Sequence, residues 1–278
     1  LAQTLLQAGR SGEAHTLLTS GQHKFADDPY QLMPLIQSAD QNGNRQVARQ
    51  AGAHLAEIFS RSQQDSGYVS PHANVDPIEI AEQLNDIEMS DAAIRVLESA
   101  LLNAPNQESW LRKLVDLQVS TGKYSQAAEN MQILSGFHPE NLNLRQDLAR
   151  TYEAFQSWDA ALDVWNTLVE ESNYPTPSDA LDDLHALADC ALKAGHPEPA
   201  IHASQRALSL DSDDGLAYTY LGKAYALQHD GLRGLEYLTQ ATQISPTLPE
   251  GWLALAELLC QREKYQQAIE SMQTAIQI

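Results

Sequence analysis

The chain has 278 residues, 43% of them hydrophobic, with 17 Lys and Arg against 37 Asp and Glu and a formal net charge of −20. That apolar content at this length is enough to bury a core and argues against a disordered chain. The acidic balance repels nucleic acid and anionic membrane surfaces, which excludes both as partners. No run approaches the roughly 18 apolar residues of a membrane span, and the start, Leu1-Ala2-Gln3-Thr4-Leu5-Leu6, shows neither the basic segment nor the continuous apolar stretch of a signal peptide. Cys190 and Cys260 stand 70 residues apart, with neither a disulfide framework nor a zinc spacing. Both read as small buried hydrophobes, and a reducing, cytoplasmic compartment is favoured.

Taken in chain order, the sequence repeats itself. A partial stretch, 1–28, carries Leu1-Ala2 and, thirteen residues after Leu1, Ala14; the stretch 29–62 carries Leu35 and Ala48 in the same relation. Eleven residues, Gln63 to Ala73, then interrupt the register. It resumes with Ile80-Ala81 and Ala93 in 74–107, Leu114 and Ala127 in 108–141, and Leu148-Ala149 and Ala161 in 142–175. Five inserted residues, 176–180, precede Leu187-Ala188 and Ala200 in 181–214, Leu221-Gly222 and Gly234 in 215–248, and Leu255-Ala256 and Ala268 in the partial stretch 249–278. The small-residue column from Ala14 to Ala268 therefore recurs at spacings of 34, 45, 34, 34, 39, 34 and 34, a single period with two insertions.

The residue types say what each period is. Pairs such as Leu148 and Tyr152, or Ala161 and Trp165, lie four apart on one helical face, so each period reads as two antiparallel helices. Small residues such as Ala81 and Ala93 mark where the paired helices cross, and the Leu and aromatic positions fill the space between neighbouring pairs. Gly9, Gly43, Gly122 and Gly195 mark turns that need a left-handed residue, and Pro105, Pro139 and Pro246 close three of the periods. The stretch 63–73, with Gly67 and Pro71, reads as a flexible or bending linker between N-terminal units at 1–62 and a main array at 74–278. Charge changes there too: 1–62 carries five basic and five acidic groups, so 63–278 holds all the excess. The insertion near Tyr174-Pro175-Thr176-Pro177 reads as a lengthened turn.

These columns resemble the tetratricopeptide repeat, most closely in Tyr218, Leu221-Gly222, Tyr225, Gly234, Leu238, Ala241, Pro246 and in Trp252, Leu255-Ala256, Leu259, Ala268, Met272, Ala275. The resemblance implies an all-α, right-handed superhelical solenoid of antiparallel helix pairs, about eight units with the first and last partial. It also implies a concave groove, lined by the first helix of each unit, that binds a peptide or partner protein. A unit cannot bury its own apolar face, so uncapped ends expose apolar surface. The sequence accordingly reads as a segment of a longer protein, with self-association through those ends as the alternative.

No catalytic constellation is recognisable. Gly215 to Lys223 spaces its glycines too far apart for a phosphate loop, and Ala224 stands where Ser or Thr is needed. His185 and Asp189, with His196 and His202 nearby, allow a metal reading, but a solvated helix surface explains them better. Trp158, Trp165, Tyr218, Tyr225, Trp252 and Tyr265 fall in columns that need bulk, so core packing is preferred to a stacking platform for bases or sugars. No enzyme, metal or cofactor is expected. The groove candidates are Arg112, Lys113, Asp116, Gln146, Arg150, His185, Asp189, Thr219, Lys223 and Glu257. One subset of the family grips a C-terminal carboxylate with Lys, Asn and Arg on three units, and this sequence lacks the Asn. Arg112, Lys113 and Arg150 are the nearest substitute, unless they pair locally with Asp116 and Asp147. The expected function is a scaffold or adaptor for a basic or neutral peptide or protein. The alternative is a regulatory or targeting arm of a larger enzyme whose catalysis lies outside the segment.

Overall fold

The computed structural model describes residues 29–64, 75–171 and 176–278, together with the isolated positions 8, 10, 12, 13, 16 and 174. Leu1, Ala2, Gly9, Ala14 and Gly21 lie outside the described residues, as does most of the 63–73 stretch, of which Gln63 and Gln64 complete a helix. From Pro29 onwards the described residues form fourteen α-helices and no strand. They are α1 (Pro29–Gln41), α2 (Arg45–Gln64), α3 (Pro77–Asp86), α4 (Ser90–Asn103), α5 (Glu108–Ser120), α6 (Tyr124–Phe137) and α7 (Leu142–Ala154). The chain continues as α8 (Trp158–Glu171), α9 (Pro177–Ala194), α10 (Pro197–Leu210), α11 (Gly215–Leu227), α12 (Gly231–Ile244), α13 (Pro249–Gln261) and α14 (Tyr265–Gln277). Two compact units result, Leu1–Gly136 and Phe137–Ile278.

The periodic columns are the core. Ala48, Ala93, Ala127, Ala161, Ala200 and Ala268 are buried, and so are Leu35, Ile80, Leu114, Leu148, Leu187, Leu221 and Leu255. The crossing of α11 and α12 shows why Gly222, opposite Gly234 of the small-residue column, stays small. A Cβ added to Gly222 would lie 2.4 Å from Leu238 Cγ and 3.1 Å from the Gly234 carbonyl oxygen, so any side chain there forces the two helices apart.

In the first unit, α1 packs on α2, α3 on α4 and α4 on α5, while the 20-residue α2 reaches past its neighbour to pack on α4. Arg45 and Arg49 of α2 hold Glu88 in the α3–α4 turn at 3.2 and 2.6 Å. In the second unit each helix packs on the next from α7 through α14, and the first helices also meet, α9 with α11 and α11 with α13.

The turn inside each helix pair is the same. The residue at its left-handed position is Gly43, Gly122 or Gly195, but also Glu88, Gln156, His229 and Glu263, with φ between 60° and 65°. In every case the next residue's N–H reaches back across the turn, as Asp230 does to the Tyr225 carbonyl at 2.9 Å. That bond closes the helix end and fixes the left-handed conformation whatever the side chain.

Two sequence expectations are corrected. The insertion 176–180 lengthens a helix rather than a turn: α9 has 18 residues where α7 and α11 have 13. Thr176 and Asp179 form a reciprocal capping box and Pro177 occupies the first helical position, so the inserted residues nucleate their own extra turn. Cys260 is exposed on α13; only Cys190 is buried, and burial pushes its thiol up to about 12.

Candidate functional site

The candidates divide between the units. Arg112, Lys113 and Asp116 lie on α5 in the first unit. Arg112 donates twice to Glu108 Oε1, at 2.8 and 2.6 Å, and Lys113 Nζ donates to Glu82 Oε1 at 2.8 Å. Both cations are therefore neutralised within their own unit, and Asp116 is exposed beside them. In the second unit Arg150 stands 3.8 Å from Asp147.

Along α7, α9 and α11 a series of carboxylates receives side-chain and backbone donors. Gln146 Nε2 donates to Asp183 Oδ1 at 2.7 Å and the Tyr174 hydroxyl to Asp183 Oδ2 at 2.9 Å. Asp183 is 1% exposed, and burial raises its carboxyl above the usual range despite these two donors. His185 Nε2 lies 2.6 Å from Asp214 Oδ2, while Asp214 Oδ1 accepts the Leu216 and Ala217 N–H groups at 3.0 Å and caps α11. Burial works to raise Asp214, but the hydrogen bonds from His185, Ala217 and Leu216 outweigh it and hold the carboxyl below its usual value. His185 is thus engaged with a helix cap, and among the described residues no group of three or more His, Cys, Asp and Glu is placed to hold a metal ion.

Thr219 does not line a groove: it is fully buried, its hydroxyl donates to the Gly215 carbonyl at 2.8 Å, and its position is filled against Gly251 of α13. As the fifth residue of its unit it faces the next helix, which packs on it closely.

Asp189, Lys223 and Glu257, the ninth residues of three successive units, are brought together. They line one groove of about 570 Å³ with Leu192 and Lys193 of α9, Ala226 and Leu227 of α11, and Ala254, Leu258 and Gln261 of α13. Lys193 Nζ is 2.6 Å from Asp189 Oδ2 and lies over the Trp158 ring at 5.2 Å. Its ammonium is held above the usual value, chiefly by the Asp189 bond. Lys223 and Glu257 form no ion pair among the described residues. The Tyr220 hydroxyl reports the local potential: burial first, and then Asp189, Glu250 and Asp214, push its ionisation far up. The faces of α9, α11 and α13 therefore offer an apolar-lined groove with Asp189, Lys193, Lys223 and Glu257 at its walls, of which Lys223 and Glu257 form no ion pair among the described residues.

Sequence reasoning missed Asp183, Asp214 and Lys193. Asp214 was recoverable, because an Asp just before a helical stretch is a cap signal. The burial of Asp183 had no signal, since it depends on Gln146 and Tyr174 arriving from other segments. Tyr265, counted with the packed aromatics, is 61% exposed, whereas Trp165 is buried with its indole N–H on Glu153 at 2.7 Å.

Residues 185–249 match the sequence model of the family described as Tetratricopeptide repeat, whose members generally mediate contacts between proteins. No curated protein matches the chain. Among solved structures, the C-terminal part of a TPR repeat-containing protein from Cytophaga hutchinsonii is 14% identical, covers 88% of this chain and 94% of its own, and superposes with a TM-score of 0.50. MamA from Desulfovibrio magneticus RS-1 is 13% identical, with coverages of 62% and 94% and a TM-score of 0.49. YrrB, described as a TPR protein with an unusual peptide-binding site, is 15% identical, with coverages of 66% and 92% and a TM-score of 0.44. At 14% identity the likeness to the Cytophaga hutchinsonii structure is one of fold, an all-α helical repeat. No helix among the described residues is long and apolar enough to cross a membrane.

Proposed function

From a chain whose residues 185–249 match the tetratricopeptide repeat, we propose a non-catalytic scaffold that takes an extended segment of a partner protein in the groove of α9, α11 and α13. The observation that carries this reading is the convergence of Asp189, Lys223 and Glu257 on one groove with an apolar lining from Ala226, Leu227, Ala254 and Leu258. A segment laid there buries small apolar side chains, and its polar groups meet Lys223 and Glu257, which form no ion pair among the described residues. The surrounding carboxylates favour a segment of net positive charge, by steering its approach more than by the final contact.

The test uses two labelled twelve-residue peptides, one of alternating Leu and Lys and one of alternating Leu and Glu, titrated with the intact chain. The Lys peptide binds and the Glu peptide does not. Raising the salt from 0.1 to 1 M, which shortens the screening length from about 10 to about 3 Å, weakens binding at least tenfold. Asp189→Lys with Glu257→Lys abolishes it, whereas Arg112→Glu with Arg150→Glu leaves it unchanged. Salt-independent binding, or binding lost only in the arginine variant, contradicts this reading.

A further inference from the structure

Asp189, Lys223 and Glu257 hold one position in three successive units, so the groove repeats its lining with the period of the fold. What repeats is the place and not the charge. Lys193 Nζ already takes Asp189 Oδ2 at 2.6 Å, which closes the α9 end as a neutral pair, whereas Lys223 on α11 and Glu257 on α13 form no ion pair among the described residues. A ligand therefore meets one ammonium and, one first helix further on, one carboxylate. The register itself leaves this position accessible: Asp189 and Lys223 remain partly exposed although α11 packs on α9 and α13 packs on α11.

Packed helices such as α11 and α13 stand about 8–10 Å apart, axis to axis, so the two charges are offered about that far apart along the groove. A segment crossing both helices meets both charges from one face only if its own repeat matches that distance. A β-strand returns a side chain to the same face every second residue, at about 7 Å and then about 13 Å. An α-helix does so at four and seven residues, about 6 and about 10.5 Å. A polyproline II segment does so every third residue, at about 9 Å, and of these repeats it alone falls inside the window. Resting on the groove proposed above, we infer that its ligand is a polyproline II segment bearing an acidic and a basic residue three positions apart, the acidic one on Lys223 and the basic one on Glu257. Proline is accommodated at the two positions between them, because this conformation makes no internal hydrogen bond that would need its N–H.

Fluorescence anisotropy of labelled proline-rich peptides, titrated with the intact chain, tests this. The peptides contain Glu-Pro-Lys, Glu-Pro-Pro-Lys or Glu-Pro-Pro-Pro-Lys, with end residues chosen so that all have the same positive net charge. Glu-Pro-Pro-Lys binds at least about fivefold more tightly than the other two. Lys223→Glu weakens its binding about tenfold, and affinity returns when the Glu of the peptide is replaced by Lys. Glu257→Lys does the same, with affinity returning when the Lys of the peptide is replaced by Glu. A variant that merely misfolds cannot give that rescue. Equal affinity at all three spacings, tightest binding at another spacing, a loss that the matched peptide does not restore, or tighter binding of an alanine-rich helical peptide with Glu and Lys seven apart each overturns the inference. In those cases the groove reading still stands if the Leu–Lys peptide binds and Asp189→Lys with Glu257→Lys abolishes that binding; if no peptide binds, both fall.

Discussion

In the first unit, successive helix pairs are tied by cations at the surface: Arg45 and Arg49 to Glu88, Lys113 to Glu82, and Lys123 to Asp91 at 2.6 Å. In the second unit two ties are carboxylates in partly buried places, Asp183 taking donors from Gln146 and Tyr174, and Asp214 engaged by His185 and the start of α11. The residue balance follows. The first unit, over 1–136, holds 9 basic and 16 acidic residues, the second, over 137–278, 8 and 21. The second unit pairs some carboxylates with cations, as Arg145 with Glu171 and Lys193 with Asp189, and satisfies others, Asp183 and Asp214, with amide, hydroxyl, imidazole and helix-end donors. The same repeat thus serves an array tied between helix pairs by surface cations and an array of greater negative balance, in which Lys223 and Glu257 line one groove and form no ion pair among the described residues.

The packing contrast is sharpened most by two glycines. Gly222→Leu in the second unit places a side chain against Leu238 and the Gly234 backbone and lowers stability by about 3 kcal/mol, read as a fall in urea midpoint. Gly52→Ala in the first unit meets only the movable ends of Ile87, Leu84 and Met89. It regains about 1 kcal/mol of helix propensity, so its net effect is within about 1 kcal/mol of zero. A large loss at Gly52 breaks the contrast.

The two buried aspartates come next, with opposite pH signs. Asp214 is held below its ordinary 3.8, so its contribution is present above that value and lost as pH falls through its lower folded-state value. Asp214→Ala, which removes the cap and the partner of His185, lowers stability by about 2 kcal/mol at pH 7 and by less in strong acid. Asp183 is raised above 3.8, so its contribution is complete below 3.8 and lost as pH rises through its higher folded-state value. Asp183→Asn keeps an acceptor for Gln146 Nε2 and turns the second contact round, its amide donating to the Tyr174 hydroxyl, and it gains stability relative to wild type as pH climbs from 4 to 7. Thermal melts of both variants at pH 3, 4, 5 and 7 check the signs; two curves of the same sign contradict the assignment.

The smallest effect concerns the turns. His229→Gly removes a left-handed side chain and raises stability by less than about 1 kcal/mol, because the freer unfolded glycine offsets part of the relief. Gly195→Ala, at the same place in the preceding pair, lowers it by about 1 kcal/mol.

The turns also show what was legible. Gly43, Gly122 and Gly195 announced their conformation, whereas Glu88, Gln156, His229 and Glu263 adopt it because the closing backbone bond demands it. Period and core columns were visible because packing between identical pairs repeats the same steric demand every 34 residues. Asp189, Lys223 and Glu257 occupy the same position of three successive units and line one groove. Thr219 did not, since whether a first-helix position faces the groove or the next helix depends on how closely Gly251 lets α13 approach. The buried state of Asp183 is a property of its neighbours, and a residue's own identity does not encode its neighbour.

The most direct test of the central claim is hydrogen exchange on the full chain with and without the saturating Leu–Lys peptide. Binding in the proposed groove slows exchange of the backbone amides in the facing segments of α9, α11 and α13 and leaves α3 and α5 unchanged. Protection confined to α3 and α5, or spread evenly over both units, would contradict the account.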